Sequence, residues 1–218
     1  PIAVTGAVEG YTIDTEGIGA NGGVLKITFT PTEPYKVYAG DLTVTVGSTV
    51  STISLSGQAT PVASRPTISN AENGDVWYYV NWHRAGAGKS LTDSGLNEFV
   101  INRTINADNN KNQLWKLNET ETAERYYLQG LTGHFINADG TNKIKPSETP
   151  ATAYQLVDNT SWGAELPVAF SLFTGTGTTA LDHVNSGDQK DGISTWGGES
   201  GVSKGAAVSF IIAPPNVY

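Results

Sequence analysis

The stretch that decides the fold recurs three times in the chain, as Trp77-Tyr78-Tyr79-Val80, Arg125-Tyr126-Tyr127-Leu128 and Ala169-Phe170-Ser171-Leu172. Each copy reads as a buried strand, because aromatic and β-branched residues favour the pleated, half-buried surface of a sheet. After each copy a glycine-containing turn leads into a second strand with a large aliphatic residue. These aliphatic residues follow one another at equal spacings of 45 residues and are Leu91, Ile136 and Leu181.

Each repeat also closes in the same way, with an aromatic and an aliphatic residue two positions apart. The pairs are Trp115 with Leu117, Tyr154 with Leu156, and Phe210 with Ile212. Three units of about 40 to 55 residues, each with several short strands, indicate an internal repeat. A propeller is a poor alternative because propellers use about four to eight blades. The pattern therefore predicts a β-trefoil, a six-stranded barrel capped by three hairpins, over residues 68–218.

Residues of this repeat region resemble the ricin-B-like β-trefoil lectins over residues 68–214. Gln113-Leu114-Trp115 matches the Gln-x-Trp signature of that family, and Leu181-Asp182 matches the step that carries its sugar-binding acid. Trp196 stands 14 residues after Asp182, where the family places an aromatic platform. The signature is intact only once, since Thr152 with Tyr154 and Val208 with Phe210 replace it. The resemblance implies a non-catalytic carbohydrate-binding module.

The candidate sugar site lies in the third repeat. A pyranose presents hydroxyls around an apolar face, so a flat aromatic ring and a carboxylate together can hold it. We expect Asp182 to accept hydroxyl hydrogen bonds, Trp196 to serve as the platform before Gly197-Gly198, and His183 or Asn185 to add a polar contact. The alternative is that Asp182 caps a turn and Trp196 packs on the barrel rim.

Other candidate residues rank lower. Trp82-His83 is predicted to stand exposed in a turn of the first repeat, while Asp93, Asn137 and Asp139 lack an aromatic partner at the right spacing. Trp115 is expected in the barrel core and Gln113 in backbone hydrogen bonds. Of the three histidines, His134 and His183 sit at different offsets in their repeats, so no metal site is expected. The chain contains no His-Glu-x-x-His or phosphate-loop motif, and no cofactor or catalytic residue is predicted.

The first 60 residues have a different hydrophobic pattern. In Val24–Thr30 the apolar residues alternate with polar ones, and the same alternation recurs in Asp41–Val46 and around Ile53. Such alternation predicts antiparallel strands with one buried face. Gly47-Ser48 is predicted to close a hairpin, and Tyr38-Ala39-Gly40 to turn the chain into the following strand.

This region resembles the immunoglobulin-like modules of bacterial surface and secreted proteins, on three stretches. They are Ile27-Thr28-Phe29-Thr30-Pro31, Tyr38-Ala39-Gly40-Asp41-Leu42-Thr43-Val44 and Ile53-Ser54-Leu55-Ser56-Gly57-Gln58-Ala59-Thr60. The resemblance implies an immunoglobulin-like β-sandwich over residues 1–60, cut down or completed by strands upstream. The proline-containing residues 61–67 are predicted to form an extended linker.

Composition bounds the function class. The chain carries 13 basic and 21 acidic residues, a net charge of −8, and neither half has a basic run. Nucleic-acid partners are disfavoured because phosphate binding relies on Lys and Arg. No stretch approaches the roughly 18 apolar residues of a membrane span, so no membrane insertion is expected. Cys and Met are both absent, and a chain without Met is expected to be a processed piece of a longer protein.

Together these features predict an all-β fragment of a larger secreted or cell-surface bacterial protein that binds a glycan and cooperates with upstream domains. Two alternatives stay open: a structural or protein-interaction module without sugar binding, and an accessory part of an extracellular glycoside hydrolase. The residues do not distinguish which sugar is bound.

Overall fold

The structure of the chain is a computed structural model and consists of β-strands joined by turns. It describes residues 2–32, 36–59, 63–106, 110–138, 144–161, 168–175, 179–185, 187–196, 202–214 and 218. The chain divides into two compact units, Pro1–Pro61 and Val62–Tyr218. Among the residues described, no helix is long and apolar enough to cross a bilayer.

In its described residues, the first unit has seven strands in small antiparallel sheets. The strands are β1 (Ile2–Thr5), β2 (Tyr11–Asp14), β3 (Ile18–Gly19), β4 (Gly22–Gly23), β5 (Lys26–Phe29), β6 (Val37–Val46) and β7 (Thr49–Gln58). One sheet has the order β1-β6-β7, and β2 pairs with β5 while β3 pairs with β4. The predicted alternation is confirmed in β5, where Ile27 and Phe29 are half-buried and their neighbours are exposed.

The hairpin between β6 and β7 is confirmed, because Val46 pairs with Thr49 and leaves Gly47-Ser48 as the loop. Gly47 has φ +63°, a conformation that favours glycine. The predicted turn at Tyr38-Ala39-Gly40 is wrong, since these residues continue the ten-residue strand β6. Gly40 is there for packing: a Cβ at this position would press against the side chain of Val8 at 3.0 Å.

The core of the first unit is small. Its buried apolar side chains, among the residues described, are Val8, Tyr38 and Leu42. Phe29 packs its ring against Tyr38 at a centroid distance of 5.7 Å and against Tyr11 at 4.8 Å. Aromatic pairs at such distances add to the stability from burial, and a unit of this size has little other apolar area to bury.

The second unit contains three repeats of four strands each. An extra strand β8 (Ala63–Ser64) precedes them. The first repeat has β9 (Tyr78–Trp82), β10 (Lys89–Thr92), β11 (Ile101–Thr104) and β12 (Leu114–Glu119); the second has β13 (Tyr126–Gly130), β14 (Phe135–Ile136), β15 (Pro146–Ser147) and β16 (Gln155–Asp158); the third has β17 (Phe170–Phe173), β18 (Ala180–His183), β19 (Ile193–Trp196) and β20 (Val208–Ile212).

The first and fourth strands of the three repeats close a six-stranded barrel. β9 pairs with β12, and β12 pairs with β13. β16 pairs with β17, β17 with β20, and β20 with β9. The remaining junction is made by Tyr126 and Tyr154, which exchange two backbone hydrogen bonds of 2.9 and 2.8 Å. The second and third strands of each repeat form the hairpins β10-β11, β14-β15 and β18-β19. This is the β-trefoil arrangement that the repeats predict.

The core repeats the same threefold pattern. Leu91, Ile136 and Leu181, predicted from their equal spacing, are fully buried, and the aromatic residues that close the repeats, Trp115, Tyr154 and Phe210, are at most 1% exposed. Two of these aromatic residues are anchored alike: Trp115 Nε1 donates to the Leu91 carbonyl at 2.8 Å, and the Tyr154 hydroxyl to that of Ile136 at 3.0 Å.

Two expectations at the repeat ends differ in outcome. Gln113 is buried and bonds backbone as predicted, since its Nε2 donates to the Thr104 carbonyl and its Oε1 accepts from the Asn106 amide. Ile212, expected to close the third repeat from inside, is 56% exposed. The core position is filled instead by Val208, which lies two residues before Phe210 on the same face of β20.

Part of the predicted linker forms a strand of the second unit. Ala63 and Ser64, inside residues 61–67, form β8 and pair with Ile211 and Phe210 of β20. The next residue, Arg65, lies 2.8 Å from the Asp158 carboxylate through its guanidinium. Unpaired backbone groups of a strand are available for hydrogen bonding to another strand. In β20 such groups at Phe210 and Ile211 pair with β8.

Candidate functional site

The hairpin β18-β19 brings the two principal predicted site residues together. In its register Asp182 lies opposite Ser194, and Ala180 lies opposite Trp196. Residues directly opposite share a face of an antiparallel pair, and so do residues two apart along one strand. Asp182, Ser194 and Trp196 therefore project from the same face of the hairpin, although 14 residues separate the acid from the indole.

A pocket of about 370 Å³ opens on this face. It is lined by Arg84, Asp182, His183, Asn185, Ser194, Trp196 and Ser203. All four residues singled out from the sequence are in this set. Arg84 and Ser203 were not foreseen, because they come from the first repeat and from the segment before β20, and nothing in their local sequence marks them as neighbours of Asp182.

Asp182 forms the buried side of the pocket and is 8% exposed. The Ser203 hydroxyl donates to its Oδ2 at 2.8 Å. Burial raises the pKa of the Asp182 carboxyl, and the Ser203 hydrogen bond and the charges of Arg84 and His183 oppose this rise. Among the residues described, no donor bonds to Oδ1, so this oxygen can accept a hydrogen bond from a ligand.

The segment before β20 packs against the same carboxyl group. A side chain at Gly205 would collide with both carboxylate oxygens of Asp182, so only glycine fits there. The Gly205 carbonyl also accepts a hydrogen bond from the His183 amide at 3.0 Å. The position of Asp182 is thus set by contacts from two segments of the third repeat.

His183 and Asn185 have different roles in the wall of the pocket. The His183 imidazole is buried; its Nδ1 lies 3.1 Å from Asn185 Oδ1, and its Nε2 lies 3.4 Å from the Asp191 carboxylate. Asn185 is exposed. Of the two residues predicted to add a polar contact, Asn185 is therefore the one whose amide can reach out to a ligand, while His183 orients it.

Trp196 is 58% exposed at the end of β19. This exposure shows that the indole does not lie in the barrel interior, so much of its surface is accessible to a ligand. The predicted glycines after it, Gly197 and Gly198, lie outside the described residues.

The second-ranked aromatic candidate in the first repeat is wrong. Trp82 is fully buried in the barrel core rather than exposed in a turn. His83 follows it in a short 3-10 turn and places its Nε2 2.7 Å from Ser209 Oγ. Burial lowers the pKa of His83 to about 4. Neither side chain offers an open aromatic face.

The equivalent polar positions in the other repeats are engaged within the protein. Asp93 Oδ2 accepts from the Thr132 hydroxyl at 2.5 Å and lies 2.7 Å from His134 Nδ1. Asn137 bonds the backbone of the 149–152 segment through both its oxygen and its nitrogen. Asp139 lies outside the described residues. The Asp93 and Asn137 side chains are therefore engaged in hydrogen bonds within the protein.

A wider groove of about 780 Å³ lies elsewhere on the second unit. It is lined by hydroxyl and acidic side chains, including Asp75, Glu119 and Glu121, with Tyr127 as its aromatic residue. Asp75 is already paired with Lys116 at 2.6 Å. The smaller pocket at Asp182 fits a sugar better, because it combines an exposed indole with a buried acceptor. Among the residues described, no group of three or more acidic or histidine side chains could hold a metal ion.

Comparison with known proteins adds structural neighbours. No protein-family model and no curated protein matches the chain. A ricin B-like lectin of Macrolepiota procera, solved with lactose, is 20% identical, covers 70% of this chain and 100% of its own, and has a TM-score of 0.48. A designed threefold-symmetric protein, ThreeFoil, is 15% identical over 62% of this chain and 97% of its own, with a TM-score of 0.47.

A galactosidase also has a similar structure. An endo-β-galactosidase of Clostridium perfringens that releases GlcNAcα1-4Gal is 11% identical, covers 88% of this chain and 55% of its own, and has a TM-score of 0.49. The likeness to these three proteins is too low for any of their activities to transfer to this chain.

Proposed function

We propose that the second unit binds carbohydrate without catalysis, through the pocket at the hairpin β18-β19. One observation carries the proposal: an exposed indole, Trp196, projects from the same face as a buried carboxylate, Asp182, whose Oδ1 has no donor among the residues described. The indole covers the apolar face of a pyranose, and Asp182 accepts from its hydroxyls. The amide of Asn185 adds a further contact.

The number of carboxyl groups in the pocket supports binding rather than turnover. Hydrolysis of a glycosidic bond requires two carboxyl groups that flank it, about 5 to 10 Å apart. Among the described residues that line this pocket, Asp182 is the one carboxylate. An accessory role beside a glycoside hydrolase remains compatible with such a module, because the chemistry would then reside in another domain.

We further propose that the first unit is an immunoglobulin-like spacer and that the chain belongs to a larger secreted or cell-surface bacterial protein. The antiparallel strands and the β6-β7 hairpin of the first unit support the spacer role. A glycan-binding module in such a protein raises the effective concentration of its upstream domains at the glycan.

A glycan array, followed by equilibrium binding of the best ligand, tests the proposed site. We expect Trp196→Ala to weaken binding about tenfold or more, because a stacking aromatic face is lost. Asp182→Asn, which keeps the shape but loses the charge-assisted hydrogen bonds, is expected to weaken it about fivefold to tenfold.

Tyr218→Ala serves as the control, since Tyr218 is another exposed aromatic residue of the second unit and lies outside the pocket. Full affinity in the Trp196→Ala protein would refute the site. No glycan bound by the unaltered protein would favour the alternative of a structural or protein-interaction module.

A further inference from the structure

The pocket contains a positive charge that binding of a neutral sugar does not require. Arg84 lines it beside Asp182 and is exposed. Among the residues described, Arg84 makes no ion pair or side-chain hydrogen bond, although its charge acts on the Asp182 carboxyl. Its guanidinium donors are therefore available to a ligand, whereas the exposed guanidinium of Arg65 is paired with Asp158.

The turn that carries Arg84 is held on both sides. His83 donates its backbone amide to the Ala207 carbonyl at 3.0 Å, and its imidazole contacts Ser209. On the other side Ala85 is buried, and the Gly86 amide returns to the His83 carbonyl at 3.1 Å. Arg84 thus stands at a fixed position between two anchored residues, so that little backbone entropy is lost when its side chain binds.

The acidic neighbours of the pocket do not neutralise Arg84 by direct contact. Asp182 is turned inward, where Ser203 donates to it. Asp191 faces Lys89 at 3.6 Å and His183 at 3.4 Å. A guanidinium presents a planar fork of donors that matches carboxylate and sulfate oxygens, so it is suited to an anionic substituent of a sugar whose ring lies on Trp196.

We infer that the pocket selects a saccharide with one anionic group, carboxylate or sulfate, held by Arg84 while Trp196 and Asp182 hold the ring. This inference rests on the proposed function. The net charge of −8 limits the number of negative charges on the ligand, because an acidic protein repels a polyanionic chain more than a sugar with a single charge. The ligand class is therefore a singly charged sugar unit rather than a densely sulfated polymer.

Matched glycosides test the inference by titration calorimetry. Each set contains a neutral methyl hexopyranoside, the corresponding uronic acid, the methyl ester of that acid, and the 6-sulfate. The ester keeps the shape of the acid and removes its charge. We expect the acid or the sulfate to bind about tenfold more tightly than the ester, as a charge-assisted bidentate contact would produce, and the two anions separate carboxylate from sulfate recognition.

Variants assign the preference to Arg84. Arg84→Gln is expected to abolish the difference between acid and ester, while Arg84→Lys retains part of the difference. Arg103→Gln is the matched control, since Arg103 is exposed outside the pocket.

If the acid binds no more tightly than its ester and the 6-sulfate no more tightly than the neutral glycoside, the inference is overturned and the proposed function stands. Tighter binding of heparin than of any single-charge sugar would also overturn it. Failure of every glycoside, neutral or charged, to bind would refute the proposed function itself.

Discussion

His83 shows how the barrel determines the chemistry of a single residue. Its Nε2 lies 2.7 Å from Ser209 Oγ, and the Ser209 hydroxyl donates its own hydrogen to the Val168 carbonyl at 2.6 Å. Ser209 therefore accepts from His83, which places the ring proton on Nε2. Burial of this neutral imidazole lowers its pKa to about 4.

The lowered pKa predicts a loss of stability in acid. Between pH 6.5 and about 4 the unfolded chain binds a proton at His83 that the folded protein does not, so the free energy of unfolding falls as the pH falls through this window. The expected loss from this residue is on the order of 2 kcal/mol. It is measured by urea denaturation at pH 7 and at pH 4.

The variant His83→Gln isolates this contribution from that of the carboxyl groups, because glutamine keeps a donor but does not titrate. Its stability is expected to fall less than that of the unaltered protein over the same pH range. Identical losses in the two proteins would show that His83 does not titrate in this window.

Two tryptophans illustrate what residue type alone cannot decide. Trp82 and Trp196 both end a strand and both precede a turn or a glycine pair, yet the first is fully buried and the second is 58% exposed. The difference comes from the strands: β9 belongs to the barrel, whereas β19 belongs to a cap hairpin with one open face. The spacing from Asp182 made Trp196 a site candidate, and its exposure is compatible with that role; no comparable spacing was available for Trp82.

At the scale of elements, the hairpin β10-β11 is tied to the strand that follows it by Gln113. Its Nε2 donates to Thr92 Oγ1 at 3.1 Å and to the Thr104 carbonyl at 3.0 Å, and its Oε1 accepts from the Asn106 amide at 2.9 Å. One buried amide thereby satisfies polar groups at both strands of the hairpin and in the loop after it.

We expect Gln113→Ala to destabilise the second unit by about 2 kcal/mol, because the buried Thr92 hydroxyl and two partly buried backbone groups each lose a hydrogen bond. Chemical denaturation gives the total change, and hydrogen exchange at the Asn106 amide shows whether the loss begins at this hairpin. Asn112→Ala is the matched control, since Asn112 makes a single side-chain bond of 3.2 Å to the Asp93 carbonyl. Equal effects of the two substitutions would contradict the assigned role.

At the scale of the whole molecule, the chain is two units with unequal cores. The second contains a continuous cluster of buried aromatic and aliphatic side chains, whereas the first buries few. The stability of a small unit is limited because a short chain leaves a large share of its surface exposed. The described residues of the proposed glycan site all lie on the second unit.

Removal of residues 1–62 is therefore expected to leave the second unit folded and its affinity for a glycan within about twofold, since no pocket residue is lost. The change is measured by thermal unfolding and by calorimetry on the shortened chain. The full chain under the same conditions is the reference, and a tenfold loss of affinity would show that the first unit contributes to the site.

The periodic patterns in the sequence were sufficient for the all-β class, the three repeats and the core aliphatic positions. Such features depend on local strand alternation and on fixed spacings, which a linear sequence displays directly. The extension of β6 through Tyr38-Ala39-Gly40 and the strand at Ala63–Ser64 did not follow from it. Glycine and proline signals are compatible with both turns and closely packed strands.

Only the tertiary structure decided which further side chains share the pocket and which aromatic residues are covered. Arg84 and Ser203 line the pocket together with Asp182. They do so because barrel closure brings the first repeat, and the segment before β20, next to the hairpin β18-β19. Contacts between residues about 100 positions apart depend on how all three repeats pack at once, and no local pattern records them. Asp182 and Trp196 lie on one hairpin, so local strand pairing places them together. Arg84 comes to lie beside them only when the barrel closes.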